Sequence, residues 1–197
     1  GAALSEDKRA RTAEFSAEYL RLARHLQLLT FNPVLYICNV GEEDAAQGNH
    51  HSRAVEEMAE REGASSILIS AAIEAEIAAL PTAEDKQEFL ETLGLEETGL
   101  ARLMRQGYGL LDLLTFFTAG PKEARAWTVR TGSTAPQAAG AIHTDFERGF
   151  IRAETIAYDD YVAAGGEAGA KDAGKLRVEG KDYVTKDGDI FHFRFNV

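Results

Sequence analysis

The sequence predicts an α/β unit with a parallel sheet, followed by a smaller α+β unit. In the first part, two short and continuous apolar runs flank an amphipathic stretch, and strand, helix and strand within about forty residues form a βαβ pattern. From about Leu110 onwards the sequence instead contains several strand-like segments around one helix. A chain of 197 residues is long enough for two modest domains, with the boundary expected near residue 110.

The first 62 residues are predicted to contain two helices separated by a strand. Residues 6–29 carry apolar side chains at helical spacing, so a long N-terminal helix is expected before Pro33 breaks the pattern. Residues 34–38 form an apolar run typical of a strand covered on both faces. Residues 49–62 return to helical spacing, and Gly63 is placed to end that helix.

The predicted parallel sheet gains its second strand at residues 66–70, and the crossover between the two strands is expected to be right-handed. Two more helices are expected to begin at Thr82 and Thr98, because threonine is a preferred N-cap residue. Gly94 separates them.

The second unit is predicted as a small mixed sheet with one main helix. That helix begins at Thr134 as N-cap, has Pro136 in its first turn and reaches His143. Asp187-Gly188 is a strong hairpin signal, followed by aromatic residues in strict alternation with polar ones. The earlier strands are predicted at residues 113–118, 124–130 and 150–156.

Charge is distributed unevenly between the two parts. The net charge is −11, with 10 Lys/Arg against 20 Asp/Glu in residues 1–120 and 11 against 12 in residues 121–197. Bulk attraction to nucleic acid is therefore not expected for the first part, whereas the second can carry a local basic face. No apolar run has the length of a membrane helix, and a single cysteine excludes an internal disulfide.

A polar segment, Asn39-Val40-Gly41-Glu42, directly follows the first predicted strand. Open α/β sheets bind their ligands at the carboxyl ends of the strands, and the second strand ends nearby in the sequence Ser70-Ala71. In P-loop GTPases an Asn-Lys-x-Asp segment at this place reads guanine. Glu42 moves the carboxylate by about an ångström relative to aspartate, which predicts a weakened guanine preference. A plain polar turn is the alternative interpretation of the segment.

Three other groups of residues have a structural and a chemical interpretation. His143 beside Asp145 indicates helix capping rather than acid–base chemistry. His50 and His51, near a run of acidic residues, are weak metal candidates, because neighbouring side chains on a helix are expected to point apart. Cys38, on a buried strand, is predicted to be inert.

A Gly/Ala-rich segment in the second unit resembles a phosphate-binding loop only in part. Residues 169–176 fit Gly-x-x-x-x-Gly-Lys, but Leu176 stands where Ser or Thr would bind Mg²⁺, and no buried strand precedes the segment. Four cations gather there and are candidates for an RNA or ribosome contact, with ordinary solvated charge as the alternative. They are Lys171, Lys175, Arg177 and Lys181.

Read in order, these motifs resemble the YchF/Obg-like ATPase family over nearly the whole chain. The matching segments begin with residues 33–42, which include the Asn-Val-Gly-Glu run, and 69–77, which include Ser-Ala-Ala. Many relatives have Asp or Asn where this chain has Gly41. The further matching segments are residues 125–128, 134–140, 143–153 and 180–183.

The resemblance implies a division of the chain into three parts. Residues 1–30 would be the returning arm of a coiled coil, residues 31–110 the C-terminal part of a P-loop NTPase domain, and residues 111–197 a TGS domain of β-grasp (ubiquitin-like) fold. Carried over by position, the residues that bind the nucleotide base would be Asn39, Val40, Glu42, Ser70 and Ala71.

The resemblance also implies a function for the parent protein. It would be a cytoplasmic ATPase that prefers ATP to GTP, uses Mg²⁺ and associates with the ribosome or ribosomal RNA, with neither membrane nor DNA as a partner. The family's phosphate loop and magnesium-binding segments would precede residue 1, so this chain alone is expected to have no catalytic residues and no tightly bound cofactor. Two alternatives stay open, namely a TGS-based ribosome- or RNA-binding module without catalysis, and an inactive proteolytic remainder.

Overall fold

The computed structural model of the protein describes residues 10, 16, 22, 25–120 and 123–196. The chain divides into two compact units, Gly1–Leu110 and Leu111–Val197. Each unit has a hydrophobic core of its own.

The first unit contains the predicted βαβ element. Strand β1 (Leu35–Asn39) pairs in parallel with β2 (Ser65–Ile69), and helix α1 (His50–Arg61) connects them. Asn49 caps α1, since its side-chain oxygen accepts hydrogen bonds from the backbone N–H groups of His51 and Ser52. The parallel sheet and its connecting helix are therefore confirmed.

Three more helices complete the first unit: α2 (Ala71–Ala79), α3 (Ala83–Thr92) and α4 (Gly99–Leu110). The predicted caps of the last two are present, because the hydroxyls of Thr82 and Thr98 accept N–H groups from their first turns. Helix α2 was not predicted, because its alanines surround the helix and leave no apolar stripe of helical period. The core of this unit joins α2 and α3 through Ile73, Ile77 and Leu90, and Ala45 and Leu95 from connecting segments complete it.

Strand β1 is less covered than its apolar sequence predicts. The side chain of Ile37, at its centre, is 52% exposed. Within the described part of the chain, β1 has β2 as its one hydrogen-bonded neighbour, so its other edge is open. The expectation that β1 is buried on both faces is therefore wrong in this structure.

The predicted N-terminal arm, residues 1–30, lies largely outside the described residues. Its described end is the 3₁₀ turn Leu29–Phe31. Leu22, Leu26 and Leu29, spaced at helical intervals, are 59%, 68% and 85% exposed.

The second unit contains a mixed sheet of five strands: β3 (Leu113–Ala119), β4 (Ala124–Arg130), β5 (Phe150–Ala157), β6 (Arg177–Glu179) and β7 (Asp189–Phe195). Their order in the sheet is β4-β3-β7-β5-β6. The β3–β7 pair is parallel, and the other three pairs are antiparallel.

Helix α5 (Ala135–Ile142) is the main helix of the second unit and packs on one face of the sheet through three fully buried alanines. The capping box of Thr134 with Gln137 and the proline in the first turn confirm its predicted start. The aromatic rings of Phe116, Phe191 and Phe193 form the centre of the core. The remaining helices are short: α6 (Thr144–Arg148), α7 (Tyr158–Ala163) and α8 (Glu167–Asp172).

The hairpin predicted at Asp187-Gly188 is wrong. The chain does turn there, with Gly188 at φ +78°, but β6, the strand that directly precedes the turn, pairs with β5 and not with β7. Side chains hold the segment instead, because Asp189 accepts the Lys186 N–H at 2.8 Å and Asp187 accepts the Thr115 N–H at 2.8 Å. Strand β7 is therefore placed between β3 and β5.

Candidate functional site

The carboxyl ends of β1 and β2 are joined by a side chain. Asn39, the last residue of β1, accepts a hydrogen bond through Oδ1 from the Ala71 N–H, the first residue of α2, at 3.0 Å. Beside it, the Val40 N–H donates to the Ile69 carbonyl at 2.9 Å. Four residues that the sequence singles out, Asn39, Val40, Ser70 and Ala71, therefore lie together at one edge of the sheet.

Glu42 lies two residues after Val40, in the loop that follows β1. It begins the 3₁₀ turn Glu42–Asp44 and is exposed. The turn is anchored at its other end, where Asp44 accepts a hydrogen bond from the Asn49 side-chain amide at 2.6 Å. The main chain of the loop is thus fixed, while the Glu42 carboxylate faces solvent.

Ser70 carries a buried hydroxyl that has no hydrogen-bond partner. The residue is 4% exposed, and it occupies the N-cap position of α2 without making the usual capping bond. Leaving a buried hydroxyl unsatisfied costs about 1–3 kcal/mol, and such groups in native proteins call for an explanation.

A groove of about 330 Å³ adjoins β1 and the start of α1. Cys38 lies on it, half-buried, and burial together with the nearby Glu56 carboxylate raises the pKa of its thiol. A raised pKa lowers the thiolate fraction, which agrees with the prediction of an inert cysteine. The groove is lined by Tyr36, Ile37, Cys38, Asn39, Val40, Asn49, His51, Ser52 and Val55.

Two residues that join α4 to α2 and to β2 were missed by the sequence analysis. Glu74 on α2 accepts hydrogen bonds from the N–H groups of Gly99 and Leu100, at the start of α4. Arg102 on α4 donates to the Leu68 carbonyl of β2 at 3.1 Å. Both contacts link segments more than twenty residues apart, so no local sequence pattern announces them.

The histidines behave differently from one another. His143 caps α6, because its Nδ1 accepts the Asp145 N–H at 3.2 Å, as predicted. His50 and His51 do not point apart, since their ring centroids are 3.8 Å from each other, and that expectation is wrong. They lie in the first turn of α1, and no cluster of three His, Cys, Asp or Glu side chains among the described residues is arranged to hold a metal ion.

The cationic residues of the Gly/Ala-rich segment are only partly available for a ligand. Lys175 pairs with Asp160 at 3.1 Å, and Arg177 pairs with Asp189 at 3.4 Å. Lys171 and Lys181 are exposed. The near-match to a phosphate loop runs through α8 and a turn into β6, which is the order helix, turn and strand instead of the strand, loop and helix that such a loop requires.

None of the helices in the described ranges is long and apolar enough to span a membrane.

Residues 113–196 match the family model YchF-GTPase_C, described as a protein of unknown function (DUF933). The chain is 53% identical over 197 residues to the ribosome-binding ATPase YchF of Bacillus subtilis (strain 168), covering 99% of this chain and 54% of that protein. It is 54% identical over 187 residues to the ribosome-binding ATPase YchF of Escherichia coli O157:H7, covering 95% and 51%. The chain thus spans about half the length of the curated relatives it matches.

Among solved structures, the Schizosaccharomyces pombe YchF GTPase is similar with a TM-score of 0.81 and 34% identity, covering 96% of this chain and 50% of that one. A GTP-binding protein from Pyrococcus horikoshii OT3 shares the fold, with a TM-score of 0.57 and 21% identity, covering 99% and 55%. The fold, the order of motifs and these similarities agree, and the chain is similar to YchF proteins over about half of their length.

Proposed function

We propose that residues 31–110 are the base-reading part of a P-loop NTPase domain and that the parent protein binds and hydrolyses ATP in preference to GTP. The observation that carries this proposal is the hydrogen bond from the Ala71 N–H to Asn39 Oδ1, which ties the two loops at the carboxyl ends of parallel strands. Curated relatives are named ribosome-binding ATPases, whereas a solved relative is named a GTPase, so nucleotide choice has to be measured.

The proposed base site comprises Asn39, Val40, Glu42, Ser70 and Ala71. Since the Asn39 oxygen is occupied by Ala71, its amide nitrogen is the part of that side chain that can donate to a base. The Glu42 carboxylate accepts hydrogen bonds only, and its longer stem disfavours the two-point contact that guanine makes with an aspartate. The Ser70 hydroxyl gains a partner when the site is filled.

Catalysis in this proposal belongs to the parent protein and not to the present chain. Phosphoryl transfer depends on a phosphate loop, its lysine and Mg²⁺, which position the nucleotide and neutralise its charge. The sequence printed here has no segment with that loop's residue pattern in the required context, so the chain alone is proposed to be inactive.

The second unit is proposed to be a TGS domain of β-grasp type that contacts the ribosome or ribosomal RNA. A mixed five-stranded sheet that packs one main helix supports the fold, and the names of the curated relatives support the partner. Lys171, Lys175, Arg177 and Lys181 are the proposed RNA contacts. With a ribosomal partner, the protein is proposed to act in the cytoplasm.

Isothermal titration of ATP and GTP tests the base site. The titrations use this chain and a version extended upstream through a phosphate loop. We expect no measurable binding by the short chain and ATP-preferring binding by the extended protein. Replacing Asn39 with Ala in the extended protein is expected to weaken ATP binding by about tenfold or more, because it removes both a base contact and the tie between the loops. Strong GTP preference would contradict the assignment of Glu42.

A binding module without catalysis is the second candidate function, favoured by the separate core of unit 2. Ribosome co-sedimentation of the full chain, with and without charge-neutralising substitutions at Lys171 and Lys181, tests it. These two lysines are chosen because Lys175 and Arg177 already form ion pairs. Co-sedimentation that is unchanged by the substitutions would exclude the basic segment as the contact.

A further inference from the structure

A second groove, unrelated to the base site, opens on the face of the unit 2 sheet opposite the core. Its volume is about 400 Å³. Phe117 of β3 lines it, and because side chains alternate along a strand, Phe117 faces away from the core residue Phe116. The far wall is the start of α7, and the floor is the turn before β7.

Two aromatic rings form one side of this groove. The ring centroids of Phe117 and Tyr158 are 5.8 Å apart, with an angle of 36° between the ring planes. Tyr158 is 51% exposed although it is a large aromatic residue, so part of its ring is open to a ligand. The face of an aromatic ring is electron-rich and attracts cations such as ammonium and guanidinium groups.

Two carboxylates complete the groove. Asp159 follows Tyr158 on α7, and Asp187 lies in the turn before β7. Asp187 is held in place because its Oδ1 accepts the Thr115 N–H at 2.8 Å, and the two walls are joined by the Tyr158 N–H, which donates to the Gly188 carbonyl at 3.0 Å. The described residues that line the groove include no lysine or arginine.

We propose that this aromatic–acidic groove binds the side chain of an arginine or lysine presented by a partner protein. The argument is charge complementarity: two carboxylates beside two ring faces favour an organic cation and repel the phosphates of a nucleic acid. Arginine fits best, since its planar guanidinium can stack on a ring while donating to a carboxylate.

NMR titration of the full 197-residue chain with two short peptides tests the proposal. The probes are Ac-Gly-Arg-Gly-NH₂ and the same peptide with citrulline, which has nearly the same shape but no charge. We expect saturable shifts of the Phe117, Tyr158 and Asp159 amides with the arginine peptide, weaker binding of the citrulline peptide, and loss of affinity as salt is raised. Equal binding of both peptides, or no saturable shift at these amides, would overturn the proposal.

Variants separate a binding role from a structural one. Tyr158→Ala and Asp159→Asn are each expected to weaken binding of the arginine peptide by about threefold, whereas Tyr158→Phe keeps the ring and retains binding. Asp172→Asn, at the exposed end of α8, is the matched control for a change of one charge and is expected to have no effect. A single-stranded RNA that competes with the peptide at these amides would assign the groove to nucleic acid and refute the proposal.

Discussion

The Glu74 carboxylate holds the N-terminus of α4, because its Oε1 accepts a hydrogen bond from the Gly99 N–H at 2.6 Å and its Oε2 accepts one from the Leu100 N–H at 3.3 Å. A negative charge at this end of a helix is stabilised both by the free N–H groups and by the helix dipole. A Cβ at position 99 would lie 2.8 Å from the Ile69 side chain, so glycine is needed for this close approach. Helix α4 is thereby fixed to α2, the helix that follows β2.

Replacing Glu74 with Ala is expected to destabilise unit 1 by about 1–2 kcal/mol, because it leaves helix N–H groups without a partner. Hydrogen exchange followed by mass spectrometry measures this destabilisation. We expect faster exchange in residues 99–110 and an unchanged exchange rate in unit 2. Glu76→Ala, on the same helix but exposed, is the control. Equal exchange in the two variants would contradict the capping role.

Replacing Ser70 with Ala removes a buried hydroxyl that has no partner, so the stability of the chain is expected to stay within about 1 kcal/mol of the original or to rise. In the upstream-extended protein, the same change is expected to weaken nucleotide binding by about threefold to tenfold. Thr185→Ala removes a comparable buried hydroxyl from unit 2 and should leave nucleotide affinity unchanged. Unchanged affinity in the Ser70 variant would remove this residue from the base site.

Replacing Phe191 with Ala is expected to destabilise unit 2 by about 3–5 kcal/mol, because the ring is 1% exposed and packs against Phe116 and Phe193. Urea unfolding followed by the fluorescence of Trp127 measures unit 2, since Trp127 is the only tryptophan in the chain and lies in β4. Val178→Ala, at a residue 62% exposed, should change stability by no more than about 0.5 kcal/mol.

The Arg194–Glu154 pair predicts a pH dependence of unit 2. The Arg194 guanidinium donates two hydrogen bonds to the Glu154 carboxylate, at 3.2 and 3.1 Å, and this contact lowers the pKa of that carboxyl below its usual range. Because the pKa of Glu154 is lower in the folded state than in the unfolded chain, the pair stabilises the fold fully at pH values above the pKa that Glu154 has in the unfolded chain. This stabilisation is lost as the pH falls through the folded-state pKa.

We therefore expect Arg194→Met to destabilise unit 2 at neutral pH, and to have a smaller effect once the pH is low enough to protonate Glu154. Urea unfolding of the variant and of the original chain, each at neutral and at strongly acidic pH, measures the destabilisation under both conditions. Arg148→Met serves as the control, because Arg148 is 81% exposed and only approaches Asp145 at 3.9 Å. A destabilisation of equal size at both pH values would show that the arginine acts through packing and not through charge.

Several features of the chain could be predicted because they depend on residues close together in sequence. The caps at Thr82, Thr98 and Thr134 each satisfy N–H groups within the next three residues, so residue type and spacing announce them. The βαβ element was visible for a similar reason, since each strand is a continuous apolar run and the helix between the strands has apolar residues at helical spacing. The position of the candidate base site followed from the end of a predicted strand.

Tertiary structure decided what joins distant segments. The Asn39 contact with Ala71, the Glu74 contact with Gly99 and the insertion of β7 between β3 and β5 all link residues more than twenty positions apart. Forming such contacts requires loop closure and packing of whole elements, which no short window of residues encodes. The sequence by itself therefore determined most of the longer strands and helices, the threonine caps and the resemblance to YchF proteins. The structure decided helix α2, the strand order, the contacts between distant segments and the exposed aromatic–acidic groove.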